Sequence, residues 1–160
     1  SFTAEEMISA VNEGMFELID VLSINRHEAE AMVPGAGYET PVETLIDSLL
    51  RVNGDLCIAI TDGGSGVSVW DGVTLHTISA LRVKAVATSG AGDAFFAGFL
   101  CGLGSGMQTL SAAIMGNLVA GFSVTGRDTI HRGLHRETFE AYVSEHNLEF
   151  PSEVLSFLSV

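Results

Sequence analysis

Four consecutive residues past the middle of the chain, Gly90-Ala91-Gly92-Asp93, have the types and order needed to hold and move charge. Glycine at 90 and 92 lets the backbone turn tightly and keeps Cβ atoms out of the path of an approaching ligand. If a helix opens at Asp93 or Ala94, the amides of Ala91, Gly92 and Asp93 point out of its N-terminus. Unpaired N–H groups and the positive end of the helix dipole favour an anion there. An acidic side chain inside an anion site is a poor choice for binding alone. It fits a base that takes a proton from a hydroxyl while the amides hold the charge of a transferring phosphoryl group. The plainer alternative is a tight strand-to-helix turn with Asp93 as an ordinary N-cap, and the spacing alone leaves both open.

Two familiar phosphate loops do not fit. A dinucleotide fingerprint starting at Gly90 needs a third glycine at 95, where the chain has Phe95. A Walker A loop needs Gly-Lys-Ser/Thr, and the single lysine, Lys84, sits between Val83 and Ala85.

Three further places carry side chains or glycines suited to a phosphate ligand. Asn25-Arg26-His27-Glu28 reads as an N-cap with a capping-box glutamate. Thr61-Asp62-Gly63-Gly64-Ser65-Gly66 follows an apolar run, either as a flexible turn or as the loop at a strand's carboxyl end where open α/β sheets bind ligands. Asn117 is the one polar amide in the middle of an apolar helical stretch, where a buried amide ordinarily finds a backbone partner.

Elements must position these groups. Thr3 and Glu6 form a capping box, and Met7, Val11, Met15 and Leu18 follow at helical spacing, which predicts a helix from about Ala4 to Glu17. A short buried strand from Asp20 to Ile24 leads into the Asn25 cap, and Pro34-Gly35 ends the helix that follows. Thr40-Pro41-Val42-Glu43 is a second start signal, with Gly54 at the expected C-terminal cap. Residues 56–61 have the continuous apolar character of a central parallel strand. The strands 67–70 and 73–78 flank Asp71-Gly72 as a peripheral antiparallel hairpin, with Trp70 packing and His76 exposed. Val83 and Val86 mark a strand entering the glycine turn. Apolar helices are expected over 94–103 and 110–125, the latter rich in small residues that allow close packing, and an amphipathic one over 138–145. Helix alternating with buried strand predicts a doubly wound, Rossmann-like α/β sheet.

The stretch from Val86 resembles the C-terminal signature of the ribokinase-like (PfkB) carbohydrate kinases, Val-Asp-Thr-Thr/Ser-Gly-Ala-Gly-Asp-Ala/Thr-Phe. It matches at Val86, Thr88, Ser89, Gly90, Ala91, Gly92, Asp93, Ala94 and Phe95. The resemblance implies the three-layer ribokinase-like fold, with Asp93 as catalytic base and the 90–93 amides as the anion hole. It implies that Glu28 of the Asn-x-x-Glu motif orders Mg²⁺-bound water, supported by Asn25. It also implies that Thr61, Gly63 and Gly66 line the phosphates and ribose of ATP, and that Asn117 stands beside the adenine. Where the family's usual Asp helps form a monovalent-cation site, this chain has Ala87, which weighs against potassium activation. The likeness covers only about the C-terminal half of such an enzyme. Residues 1–160 are thus expected to be the nucleotide-binding and catalytic half, without the substrate and lid half.

The reaction so implied is ATP-dependent phosphorylation of a hydroxyl on a sugar or sugar-like molecule. A nucleoside kinase of the same fold and a non-catalytic, degenerate nucleotide-binding module are the alternatives. A homodimer of the full-length enzyme is compatible with the family, whose lid often mediates dimers. The net charge of −13 argues against nucleic acid or an anionic membrane as partner, and no apolar run is long enough for a span. Cys57 and Cys101, both in apolar runs, read as buried free thiols of a reducing cytoplasm. His131 and His135, with Gly133 between them, read as surface residues and not as metal ligands.

Overall fold

The computed structural model describes residues 6, 9, 14–127, 133, 135–145 and 150–159. These divide into two compact units, one built from the chain up to Asp62 plus Val67–Thr77, the other from Gly63–Gly66 plus Ile78 onward.

The first unit holds a mixed sheet in the order β1-β2-β3-β4, with β1 at Val21–Asn25, β2 at Cys57–Thr61, β3 at Val67–Trp70 and β4 at Leu75–Ile78, whose last residue belongs to the second unit. β1 and β2 run parallel with Val21 opposite Cys57 and Asn25 opposite Thr61, and β3 joins β2 antiparallel. Ile58, Ala59 and Ile60 are all buried, so β2 is covered on both faces, as its unbroken apolar run predicts. Helices α1 (Arg26–Met32) and α2 (Val42–Leu50) supply Ala29, Leu45, Ile46 and Leu49 to a core with Leu22, Ile24, Leu56, Ile58 and Ile60. Trp70 packs against this core, as expected.

Several local expectations give way here. The start of the helix expected from Ala4 lies mostly outside the described residues. At its end, Gly14 is left-handed (φ 74°) and Met15–Leu18 is a 3₁₀ turn, because a positive φ breaks the α ladder. Thr40 does not cap α2 with its side chain. Its Oγ1 accepts from the Gly37 amide, and the Pro41 carbonyl receives the first helical bonds. Gly54 is not the C-terminal cap either: α2 ends at Leu50 with Arg51 still right-handed. Asn53 then turns inward, donating to the carbonyls of Phe16 and Ile19. His76 is half-buried, its Nε2 2.7 Å from Asp71 Oδ2, and Asp71 Oδ1 accepts from the Val73 and Thr74 amides. The hairpin turn therefore extends to Thr74, two residues beyond the Asp71-Gly72 pair.

The second unit is helical: α3 (Ala91–Gly104), α4 (Thr109–Ser123), α5 (Arg136–Glu145) and α6 (Ser152–Ser159). α3 and α4 pack closely because glycines leave no side chain of their own at the contact. A Cβ on Gly98 would lie 2.8 Å from Val119 Cγ2, one on Gly102 2.8 Å from Ala112 Cα, and one on Gly116 2.7 Å from the Phe95 carbonyl oxygen. Phe122 meets Phe139 and Tyr142 edge-on at 5.7 and 5.1 Å, and Val154 and Leu158 of α6 are buried. The expected strand at Val83–Val86 does not form. A strand needs a neighbour for its ladder, and apart from Ile78 the described residues of this unit contain none. Instead the amides of Val86 and Ala87 donate to the Val124 carbonyl at 2.7 and 3.3 Å. Of the two histidines expected at the surface, His135 is exposed and His131 lies outside the described residues. No described helix is long and apolar enough to cross a membrane.

Candidate active site

In the first unit three of the expected residues come together at the carboxyl end of the parallel pair. Asn25 and Thr61 occupy its last rung. Asn25 caps α1: its Oδ1 accepts from the Glu28 amide at 2.9 Å, while its own amide donates to Glu28 Oε2 at 2.8 Å. The capping box engages one carboxylate oxygen of Glu28. Its other oxygen has no partner among the described residues, so Glu28 could hold a metal-bound water. No group of three or more His, Cys, Asp or Glu that could ligate a metal directly exists among the described residues. That donor set suits a magnesium ion held through water and the ligand's own phosphates, which is how Mg²⁺ is commonly bound.

In the second unit, Gly63–Ser65 form a single 3₁₀ turn closed by the Gly66 amide on the Gly63 carbonyl at 3.2 Å. Gly63 and Gly64 have open space where a Cβ would be. Gly66 is different: at φ 109° its Cβ would lie 2.0 Å from the Ile78 carbonyl oxygen and 2.7 Å from the Ala80 nitrogen, so only glycine fits. Asn117 lies in the same unit, its Nδ2 donating to the Ser79 carbonyl at 2.9 Å.

The glycine turn after residue 89 opens α3 earlier than expected. Gly90 is the left-handed N-cap (φ 80°) and the helix begins at Ala91, so Asp93 is the third helical residue and not the cap. The Ala94 amide makes the first intrahelical bond, to the Gly90 carbonyl at 2.9 Å. The Ala91 amide is taken by the Thr88 carbonyl at 3.2 Å and does not point out freely. Among the described residues the Gly92 and Asp93 amides have no backbone partner and keep the orphan character of a first helical turn. Gly92 has an ordinary helical φ and nothing within 4 Å of its missing Cβ. Neither packing nor backbone conformation therefore requires glycine at 92, and its small size leaves the approach to the two amides open. Asp93 is exposed beside them.

Of the thiols, Cys57 is half-buried, and burial together with the nearby Asp71 carboxylate pushes it up to about 11. Cys101 is exposed, contrary to the expectation for an apolar run, because it lies on the outer side of α3 away from the glycine face packed on α4. Sequence reasoning also missed the part played by Ser79 and Ala80. Their backbone atoms meet Gly66 and Asn117, and no side-chain pattern marks such a contact.

The model of the pfkB family carbohydrate kinases matches residues 2–135 of this chain. A ribokinase of Lactococcus lactis is 33% identical over 89 residues, which cover 56% of this chain and 27% of that protein. The crystal structure of a ribokinase from Thermotoga maritima superposes with a TM-score of 0.69 at 28% identity, over 81% of this chain and 44% of that one. A structure from Escherichia coli in complex with ATP and Mg²⁺ shares the fold with a TM-score of 0.72 at 20% identity, over 89% of this chain and 44% of that one. The chain thus spans less than half the length of these relatives. The fold is α/β and ribokinase-like, and the chain belongs to the pfkB family of carbohydrate kinases.

Proposed function

We propose that this chain carries the nucleotide and base functions of an ATP-dependent kinase that phosphorylates a hydroxyl on a sugar or sugar-like molecule. The observation that carries the reading is the opening of α3. Two amides without a partner among the described residues, an unobstructed glycine and an exposed carboxylate lie within one helical turn, inside a family whose named members are kinases. When bound, Mg·ATP supplies the phosphoryl group and the charge that neutralises its leaving oxygens.

In the second unit, the amides of Gly92 and Asp93 hold negative charge at the helix start, within the anion site formed by residues 90–93. The Asp93 carboxylate accepts the proton of the incoming hydroxyl. The 3₁₀ turn at Gly63–Ser65 and the packed Gly66 form the backbone surface for the phosphates. In the first unit, Glu28 orients water on Mg²⁺, Asn25 fixes Glu28, and Thr61 ends β2 with its hydroxyl at the same edge. Ala87 has no carboxylate with which to bind a cation. On that ground we propose a reaction independent of potassium. The relatives also include structures named as nucleoside and adenosine kinases, which supports a proposal no narrower than a hydroxyl-bearing small molecule as acceptor. The reaction is placed in the cytoplasm, where ATP is supplied.

The test is turnover and calorimetric Mg·ATP binding by Asp93→Asn in the complete polypeptide. Base catalysis predicts unchanged nucleotide affinity and turnover lowered roughly 10²-fold or more. Turnover near that of the parent would remove Asp93 from the role of base.

A further inference from the structure

Gly66 and Asn117 meet on the same peptide group. The Ser79–Ala80 peptide supplies two of the three backbone atoms nearest to a Cβ on Gly66, the Ala80 nitrogen at 2.7 Å and the Ser79 carbonyl carbon at 2.9 Å. The oxygen of that same carbonyl accepts the Asn117 Nδ2 hydrogen at 2.9 Å. One turn further along α4, a Cβ on Gly121 would lie 2.8 Å from Leu81 Cδ1, so the helix holds residues 79–81 at two points on one face. On the preceding residue, Gly116 packs against the Phe95 carbonyl, two residues beyond Asp93.

We infer that Asn117 is a positioning residue for the phosphate loop at 63–66, acting through the Ser79–Ala80 peptide. The inference rests on the proposed nucleotide role of that loop. A loop with three glycines in four residues is conformationally loose, and Gly66 alone has a fixed backbone surface to lie against. That surface starts at Ile78, the last residue of β4, and runs into residues 79–81, which have no strand ladder, so beyond Ile78 something else must set its position. The Asn117 hydrogen bond sets the orientation of the peptide, and the Leu81–Gly121 contact sets its height above α4. Gly116 ties the same helix to the start of α3. α4 is thus the common frame for the loop at 63–66 and the helix that carries Asp93.

Asn117→Asp tests this, because it keeps the side chain's size and removes the donor. Two measurements are needed: amide exchange in the unliganded protein, and titration with Mg·ATP and Mg·GTP. The expected result is faster exchange at residues 63–66 and 80, with the middle of α3 unchanged. Affinity for both nucleotides should weaken by the same factor, roughly 5- to 10-fold for one lost hydrogen bond to a positioned group. Unchanged exchange at 63–66 overturns the inference, as does a loss confined to ATP, which would mark Asn117 as a base contact. If the parent protein binds neither nucleotide, the nucleotide reading of the loop fails while exchange still decides the positioning role. Asn117→Ser keeps a shorter donor and carries the same measurements if the aspartate variant does not fold.

Discussion

Asn25 and Thr61 are paired Cα to Cα on the final rung of the parallel ladder between β1 and β2. The Thr61 hydroxyl lies 3.5 Å from the Ile24 carbonyl. Both strands therefore end at one level, one releasing its chain into the capping box of α1 and the other into the glycine loop. In open α/β sheets that edge is where ligands bind, and the rung brings Asn25 and Thr61, 36 residues apart in sequence, to one end of the sheet.

The two kinds of glycine should separate when each is replaced by alanine. Gly66→Ala drives a Cβ into the 78–80 backbone at a positive φ and should cost roughly 3 kcal/mol or more of stability. Gly92→Ala meets nothing within 4 Å at a helical φ and should leave stability unchanged or raise it by up to about 1 kcal/mol. Its activity should nevertheless fall, because the methyl group covers the open amides. Thermal melts and turnover of the two variants check this, and an active, stable Gly92→Ala would refute the anion-hole role of that turn.

Glu28 has a structural and a proposed catalytic part, and glutamine separates them. Glutamine can close a capping box as glutamate does, so Glu28→Gln should melt near the parent. Losing the charge should raise the magnesium concentration needed for half-maximal turnover. Asn25→Ala should instead lose about 1 kcal/mol of stability through the cap. Equal magnesium dependence in parent and Glu28→Gln would leave the residue as a cap only.

The β3–β4 turn should respond to acid. The His76 hydrogen bond, then the amides of Thr74 and Val73, hold the Asp71 carboxyl down to about 2. A carboxyl whose pKa is lower in the folded state stabilises fully above its unfolded value, about 4, and that contribution disappears as pH falls toward 2. Amide protection at Val73 and Thr74 should drop across that interval in the parent. In Asp71→Asn the drop should be absent, and an identical profile in both proteins would contradict the assignment.

The thiols should react in a fixed order. Cys101 is exposed, whereas Cys57 is half-buried and held near 11. At pH 8 a thiolate-selective alkylating reagent should modify Cys101 well before Cys57, as peptide mass mapping will show. Comparable rates at the two positions would mean that β2 opens far more readily than its burial implies.

What the sequence determined by itself was local. The Asn25–Glu28 capping box closes within four residues, Gly90 adopts the left-handed turn that its position demands, and the apolar run ending at Thr61 becomes the strand covered on both faces. In each case the deciding hydrogen bonds or burial pattern are encoded in neighbouring residue types. Tertiary structure decided what depends on a distant partner. Residues 83–86 look like a strand but find no ladder, and only the Val86 amide, with that of Ala87, donates to the Val124 carbonyl. Thr40 has the type of a cap yet serves Gly37, because the loop's own return brings that amide closer than the helix does. Gly66 differs from Gly63 in its φ, 109° against 47°, and in the backbone packed against it, and the partner of Asn117 lies 38 residues away in sequence. Residue type states what a group can bond to. The three-dimensional path of the chain supplies the group it does bond to, and at Gly66 and Asn117 that path alone makes them neighbours of one peptide.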